Sequence, residues 1–541
     1  MRAVARPTPQ PRRDENSWLQ SPVSRRQLLQ AAGGGLGMAL VGGMLTHSMT
    51  GATSMNGADY LVLIVLDGAT PEYLGVPNMP NVRRLIRNGI SYSNAFAGIL
   101  ESETPPGHAT IATGSNPSRH GIVNFWWGDL QKQKVDLFDP SQINDGAMEA
   151  IISQAGVPTI ASLVHTQYTG SKVVALSGHK YYAADALGGP DADAILYYYG
   201  TANGQFVPTA VPAHEPPAGV LTAPHLAVPN HNIPLGVENH LTMRLAIDTF
   251  NRMHQQVTLI NLAEFDWPLG HVDGGTIDMG QVTTLMQGFD HDLGLLQDAF
   301  RRAGVLDRTL FVLLADHGMM PLHGKIDEGL LDKAVEKAGT PIVTSSYNTS
   351  ACYWLQDSSK AGDAALNIAN LKNPLIQAVY AVDLTTVGRP YRRVSGSSLL
   401  HDSAVERANQ YLLSTFAGPN GPDVVAVFTE GAGCEPGGQS GWKADHGGTS
   451  WQSQHLPLVF SGPGFRSGAV STAPARLIDV APTALQAMGI TPYGMQGVVL
   501  ADALTSPPPD APWRQAQMSN QLVPVVAAMQ AESHLELSAG A

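Results

Sequence analysis

Cysteine is almost absent from this chain, with only Cys352 and Cys434 among 541 residues. That excludes a disulfide framework and a cysteine-only zinc cluster, and leaves either one bridge or two buried thiols. Charge is also scarce: 14% of residues are Asp, Glu, Lys or Arg, and 45 acids against 32 bases give a formal net charge of −13. A chain this acidic lacks the lysine and arginine needed to replace counterions on DNA or RNA, so no nucleic-acid-binding surface is expected. A small anionic ligand would need a local positive centre. Internal repeats are missing too. Glycine (56) and proline (38) are plentiful, which points to a folded protein with long loops.

Near the N-terminus the apolar run AAGGGLGMALVGGML is 15 residues long and diluted by glycine, which is short for a membrane span. The segment before it, SRRQLLQ at Ser24 to Gln30, resembles a twin-arginine signal with Arg25 and Arg26 as the pair. That resemblance implies the twin-arginine export machinery as a partner. The expected location is periplasmic or extracellular, with an N-terminal anchor if the signal is retained. The competing reading is an arginine-rich tail beside a short hydrophobic anchor.

Past this segment the chain alternates. YLVLIVLDG is a continuous apolar run ending in Asp67 and Gly68, the pattern of a strand buried on both faces, and NMPNVRRLIRNG follows with helical spacing. The same grammar recurs in VTLINLAEFD, in RTLFVLLADHG and in HLPLVFSGPG, with a late helix in RLIDVAPTALQAMG. Alternation of this kind predicts an α/β fold: a mostly parallel central sheet with helices on both faces, plus inserted cap segments. The expected organisation is a signal and linker over 1–55, a catalytic domain over 56–505 with insertions near 188–236 and 340–440, and a C-terminal tail over 506–541. SPPPDAP makes that tail read as a linker to a short, poorly ordered end.

Three of the apolar runs end in aspartate, at Asp67, Asp266 and Asp316. Carboxyl ends of strands line the crevice of an open α/β sheet, so the three carboxylates can converge despite their separation in sequence. Each alone would be an ordinary turn former. Histidines raise their weight: His271 follows Asp266, His317 adjoins Asp316, and His446 lies in KADHGGTS, where Asp445 competes as a ligand. Imidazole nitrogen with carboxylate oxygen suits zinc.

The ordered set LDG, ETPPGHATIATGSNPSRHGI, DWPLGH, ADHGM and DHGGTS with HLPLVFSGPG resembles the alkaline phosphatase superfamily, and within it the type I phosphodiesterase and nucleotide pyrophosphatase branch. The resemblance implies two divalent metal ions, expected as zinc. Asp67, Thr104, Asp316 and His317 would surround one, and Asp266, His271 and His446 the other. It further implies that Thr104 is the nucleophile and that Asn124 offers its amide to a substrate oxygen. The family spaces its second aspartate and histidine four apart, whereas Asp266 and His271 are five apart, and Asn124 comes one position early. Coordination to a metal would favour the threonine alkoxide, and helix N-terminal amides after Thr104 would add positive potential. Two such ions balance three aspartates and the alkoxide to about zero, so an acidic chain can still accept an anion.

The function implied is zinc-dependent hydrolysis of phosphodiester or pyrophosphate bonds through a covalent phosphothreonine, with a small anionic phosphate ester as substrate. A phosphomonoesterase or phosphonate hydrolase on the same core is the main rival; a noncatalytic metal-binding homologue is a lesser one. His108 and His120 are expected in structural hydrogen bonds, and Trp126 and Trp127 in packing rather than an aromatic platform. Arg389, Arg392 and Arg393 read either as phosphate contacts or as a solvated loop, and Asp273 as the cap of the next helix.

Overall fold

The computed structural model describes residues 58–201, 203–221, 228–229, 233–275, 278–396, 403–434 and 441–540. The twin-arginine-like segment lies outside them. Among the described residues no single helix is long and apolar enough to cross a membrane.

Strands β1 (Tyr60–Leu66), β2 (Gly89–Tyr92), β3 (Val173–Leu176), β4 (Ala194–Gly200), β5 (Gln205–Ala210), β6 (Val228–Pro229), β7 (Val257–Leu262) and β8 (Thr309–Leu314) belong to one large sheet. Strands β9 (Ile342–Tyr347), β10 (Ser350–Leu355), β11 (Ile376–Val382), β12 (Tyr391–Gly396) and β13 (Val424–Phe428) form a second sheet. The chain then returns to the first through β14 (Leu458–Ser461) and β15 (Ala469–Ser471). The order in the ten-stranded sheet is β15-β2-β14-β8-β1-β7-β3-β4-β5-β6.

Its centre, β8-β1-β7-β3-β4, is wholly parallel. Every residue of β7, β8 and β3 is buried, as the unbroken apolar runs require of strands covered on both faces. The expected α/β architecture is therefore present. HLPLVFSGPG also supplies its strand, but β14 runs antiparallel to β8 and to β2.

The segment 188–236, expected as an insertion, extends this sheet instead: β4 continues the parallel core and β5 folds back on it. Within 340–440 lies the second sheet. Its five strands, ordered β9-β10-β13-β11-β12, are all antiparallel and pack with Ala361–Ala369 around a smaller apolar core.

The tail departs most from expectation. Ala511–Gly540 is one helix, and Met518, Leu522, Val525, Val526 and Met529 are buried along it. That i, i+4, i+7, i+8, i+11 spacing is an amphipathic stripe that the proline-rich SPPPDAP masked, although proline in a first turn is compatible with a helix.

Candidate active site

Four adjacent strands of the parallel core each deliver a charged side chain just past their carboxyl ends. Asp67 follows β1, Asp266 follows β7, Asp316 and His317 follow β8, and Lys180 follows β3. Thr104 meets them from the first turn of the helix Thr104–Thr113, almost wholly buried. The turn after β1 needs glycine: Gly68 has φ +74°, and a Cβ there would come within 3.2 Å of Asp266 and His317. Its N–H donates to Asp316 Oδ1 at 3.1 Å.

The seven residues proposed as metal ligands are thus brought together, all buried. Asp266, His271 and His446 form one group, with His271 Nε2 3.2 Å and His446 Nε2 3.6 Å from the same oxygen, Asp266 Oδ1. The five-residue spacing from Asp266 to His271 is absorbed by a π turn over Asp266–Gly270, closed by His271 N–H donating to Asp266 O at 3.0 Å. Asp67 is shared by two further groups, one with His108 and Asp316 and one with Asp266 and His317. Asp445 accepts the His446 N–H and lies 3.8 Å from His271 Nδ1, so it backs the ring while His446 faces Asp266.

A consistent tautomer argues that these residues fit metal ions. Nδ1 of His271, His317 and His446 lies 3.0, 2.9 and 3.2 Å from the backbone oxygens of Ala444, Gly318 and Ser102. A carbonyl can only accept, so each Nδ1 carries a proton and Nε2 is the atom turned to the carboxylates, with a lone pair wherever the ring is neutral. Asp266 Oδ1, Asp316 Oδ2 and His317 Nε2 are buried with no hydrogen bond. Lone pairs facing carboxylate oxygens in a buried space call for cations between them.

The same carboxylates attract a proton as well as a metal ion, and on His317 the two compete for Nε2. Burial alone would depress the His317 pKa, but Asp316, Asp67 and Asp266 overcome it and raise the value to about 10. Burial would raise the Asp266 pKa, yet Lys180, His271 and His446 hold it well below the usual carboxylate range. The cluster is an anionic pocket that draws in positive charge.

Lys180 is the residue that sequence reasoning missed. Its Nζ lies 2.5 Å from Asp266 Oδ2, 3.1 Å from Asp67 Oδ1 and 3.1 Å from Thr104 Oγ1. The signal existed, since VVAL is a short apolar run followed closely by HK, but it is too brief to stand out beside the longer runs.

His108 takes the expected structural role, with Nδ1 2.8 Å from Thr104 O and Nε2 3.0 Å from Asn261 Oδ1; Asn261 in turn donates to Asp67 Oδ2. His120 lies against Thr110 and Ile122. Asn124 is buried, with its amide nitrogen 3.3 Å from Glu101 Oε2 and 3.2 Å from Ser346 Oγ, and its oxygen accepting the Phe125 N–H.

Trp127 is buried, and Trp126 donates to Ser345 O, so both pack. Arg389 pairs with Asp423, Arg392 with Asp383 and Arg393 with Glu406, on and beside the second sheet. Asp273 does not cap the next helix; Asp278 does, accepting from the N–H groups of Gly280 and Gln281. Cys352 and Cys434 are buried thiols and are not bridged.

The profile of the type I phosphodiesterase/nucleotide pyrophosphatase family matches residues 61–418, more than half of the chain. The chain belongs to this family. It is 26% identical over 374 residues to the alkaline phosphatase PhoK of Sphingomonas sp, a match covering 55% of this chain and 66% of that protein. It is 27% identical over 167 residues to the alkaline phosphatase PhoD of Zymomonas mobilis subsp. mobilis, covering 29% and 28%. The chain thus spans just under two thirds of the first of these relatives and little over a quarter of the second.

Among solved structures, the alkaline phosphatase PafA superposes with a TM-score of 0.61 at 18% identity, covering 83% of this chain and 99% of that one. Murine ectonucleotide pyrophosphatase/phosphodiesterase 5, as an inactive threonine-to-alanine form in complex with AMP, gives 0.57 at 16%, covering 83% and 100%. At these identities the family member shares the alkaline phosphatase-like fold with both.

Proposed function

We propose that this protein is a zinc-dependent hydrolase of phosphodiester or pyrophosphate bonds that works through a covalent phosphothreonine at Thr104. The observation that carries this is the convergence of three imidazoles and three carboxylates around the Lys180 ammonium, which reaches the Thr104 hydroxyl. Asp67, Thr104, Asp316 and His317 would hold one ion and Asp266, His271 and His446 the other. When bound, the ions supply Lewis acidity to the reacting phosphate and lower the pKa of the threonine hydroxyl.

Lys180 donates to Thr104 Oγ1 and stabilises the alkoxide left when the hydroxyl gives its proton to water. The alkoxide attacks phosphorus: the Oγ–P bond forms, the opposite P–O bond breaks, and the departing oxygen takes a proton from water. Water then cleaves the phosphothreonine and restores the hydroxyl. Asn124 serves as the donor that a phosphate oxygen meets on displacing Ser346. The inactive threonine-to-alanine form of murine ectonucleotide pyrophosphatase/phosphodiesterase 5 supports the nucleophile assignment.

That both bacterial relatives are alkaline phosphatases favours one alternative, a phosphomonoesterase on the same core. Turnover of an aryl monoester, an aryl diester and an aryl phosphonate separates the readings. Thr104→Ala tests the mechanism in all of them: hydrolysis should stop while the fold and metal content persist, and a phosphoryl group should be found on Thr104 of the wild type. Near-normal turnover by the variant would sink it.

Export through the twin-arginine machinery belongs to the same proposal and rests on Arg25 and Arg26. Replacing both by lysine should retain the protein in the cytoplasm.

A further inference from the structure

The turn joining β9 to β10 reaches from the second sheet into the active site of the first. At its tip Asn348, almost wholly buried, donates from Nδ2 to Glu101 Oε2 at 2.9 Å and to Glu103 Oε1 at 2.8 Å. Glu101 and Glu103 lie immediately before Thr104, and Glu103 is the N-cap of the helix that Thr104 opens. Its carboxylate makes no capping bond to that helix. It is turned to Asn348 instead.

The rest of Asn348 is fully used. Its Oδ1 accepts the Ser350 N–H at 2.8 Å, its N–H donates to Ser350 O and its backbone oxygen accepts from Cys434 N. Ser350 Oγ also donates to Glu101 Oε1. The neighbour Thr349 points the other way, donating from Oγ1 to Gly447 O at 2.5 Å and lying 3.2 Å from His446 O. Gly447 has φ +80°, and a Cβ there would come within 2.8 Å of Asn348 Nδ2, so the two loops meet only because that position is glycine. One turn therefore grips the segment carrying Thr104 and the segment carrying His446.

We infer that Asn348 is a positioning residue for the reaction, setting the Thr104 hydroxyl against the metal cluster by holding Glu101 and Glu103 as a pair. The inference rests on Thr104 being the nucleophile. Asn348 touches neither Thr104 nor a proposed ligand side chain, and acts through the two carboxylates. Two donors on one rigid amide fix the chain on the N-terminal side of Thr104, while helix hydrogen bonds fix it on the other. A shift of about 1 Å in a nucleophile costs on the order of 100-fold in rate. A site built across two sheets in this way lets the position of the smaller sheet set the geometry of the larger.

Initial rates on an aryl phosphodiester, with metal content measured on the same samples, test this in Asn348→Ala, Asn348→Asp and Thr104→Ala. Asn348→Ala should lower kcat about 100-fold with KM within about threefold and bound metal unchanged. Asn348→Asp removes both donors and sets a third carboxylate between Glu101 and Glu103, so it should fall at least as far. If Asn348→Ala does not fold, Glu103→Ala and Glu103→Gln carry the test. Glutamine keeps an acceptor for Asn348 and should hold kcat within about threefold, whereas alanine should lose about tenfold or more. A folded, metal-loaded Asn348→Ala, or Glu103→Ala in its place, with kcat per bound metal within about threefold of wild type overturns the inference, even if its thermal stability falls. Turnover surviving in Thr104→Ala overturns the nucleophile assignment instead, so the two failures are distinct.

Discussion

His317 and His446 lie face to face, ring centroids 3.6 Å apart and 18° from parallel, although 129 positions separate them, counted from the sequence. Burial and the neighbouring His317 together keep the His446 pKa well below its usual value, so this ring stays neutral and its Nε2 lone pair stays available. Two imidazoles stacked this closely, each with Nδ1 tied to a backbone oxygen, hold their Nε2 atoms in a fixed orientation, as the proposed metal ligation requires.

Metal removal should therefore abolish activity reversibly. Dialysis against a chelator should eliminate turnover and zinc should restore it. His446→Ala should lose at least about 100-fold in affinity for one of two metal equivalents, read by metal titration, because it removes a proposed ligand itself, and loss of a mere outer partner already costs about 10- to 100-fold.

Lys180→Ala should separate two effects. Without metal, removing the ammonium takes from buried Asp67 and Asp266 a cation that both share, and stability should drop by up to about 3–5 kcal/mol. With metal bound the drop should shrink, while kcat should still fall about 100-fold through loss of the contact to Thr104 Oγ1. Melting curves with and without zinc, beside initial rates, check both parts.

Gly68→Ala should cost both stability and turnover. A residue with a side chain at φ +74° is strained by about 1–2 kcal/mol. The added Cβ would also press on Asp266 and His317, so activity should fall further than the loss of stability explains, as rates on the folded fraction would show.

His120 should leave a signature in acid. Its Nδ1 accepts the Ile122 N–H, so its Nε2 is the nitrogen that bears the proton and donates to Thr110, and burial holds its pKa down to about 3. Below the ordinary value of 6.5 the unfolded chain binds a proton here that the folded chain does not. Folded stability must then fall as pH drops from 6.5 towards 3, by up to about 1.4 kcal/mol per pH unit from this group. His120→Gln should lose less on acidification, measured as the difference between the two proteins in denaturant unfolding at pH 7, 6 and 5 (about one unit apart).

Several residues of the site were legible because they close unmistakable strands. Asp67, Asp266 and Asp316 end apolar runs too regular to be anything but buried parallel β-structure, and a turn must follow each run at the same end of the sheet. Lys180 was not legible because β3 is only four residues long. Nor was Asn348, which sits in an ordinary-looking turn whose partners, Glu101 and Glu103, are nearly 250 positions away. The final helix was hidden for another reason: prolines at its start suggested a linker, and its apolar stripe shows only on a 3.6-residue period.

The sequence by itself determined the parallel core and the three aspartates that reach its carboxyl edge, because strand period and turn chemistry are local properties. Tertiary structure decided what those side chains face. The strand order β8-β1-β7-β3 gathers four separated ends into one pocket, backbone carbonyls orient the imidazole rings, and a turn from the second sheet binds Glu103, the residue before the threonine. Those are relations between distant segments, and only tertiary packing brings them within hydrogen-bonding distance.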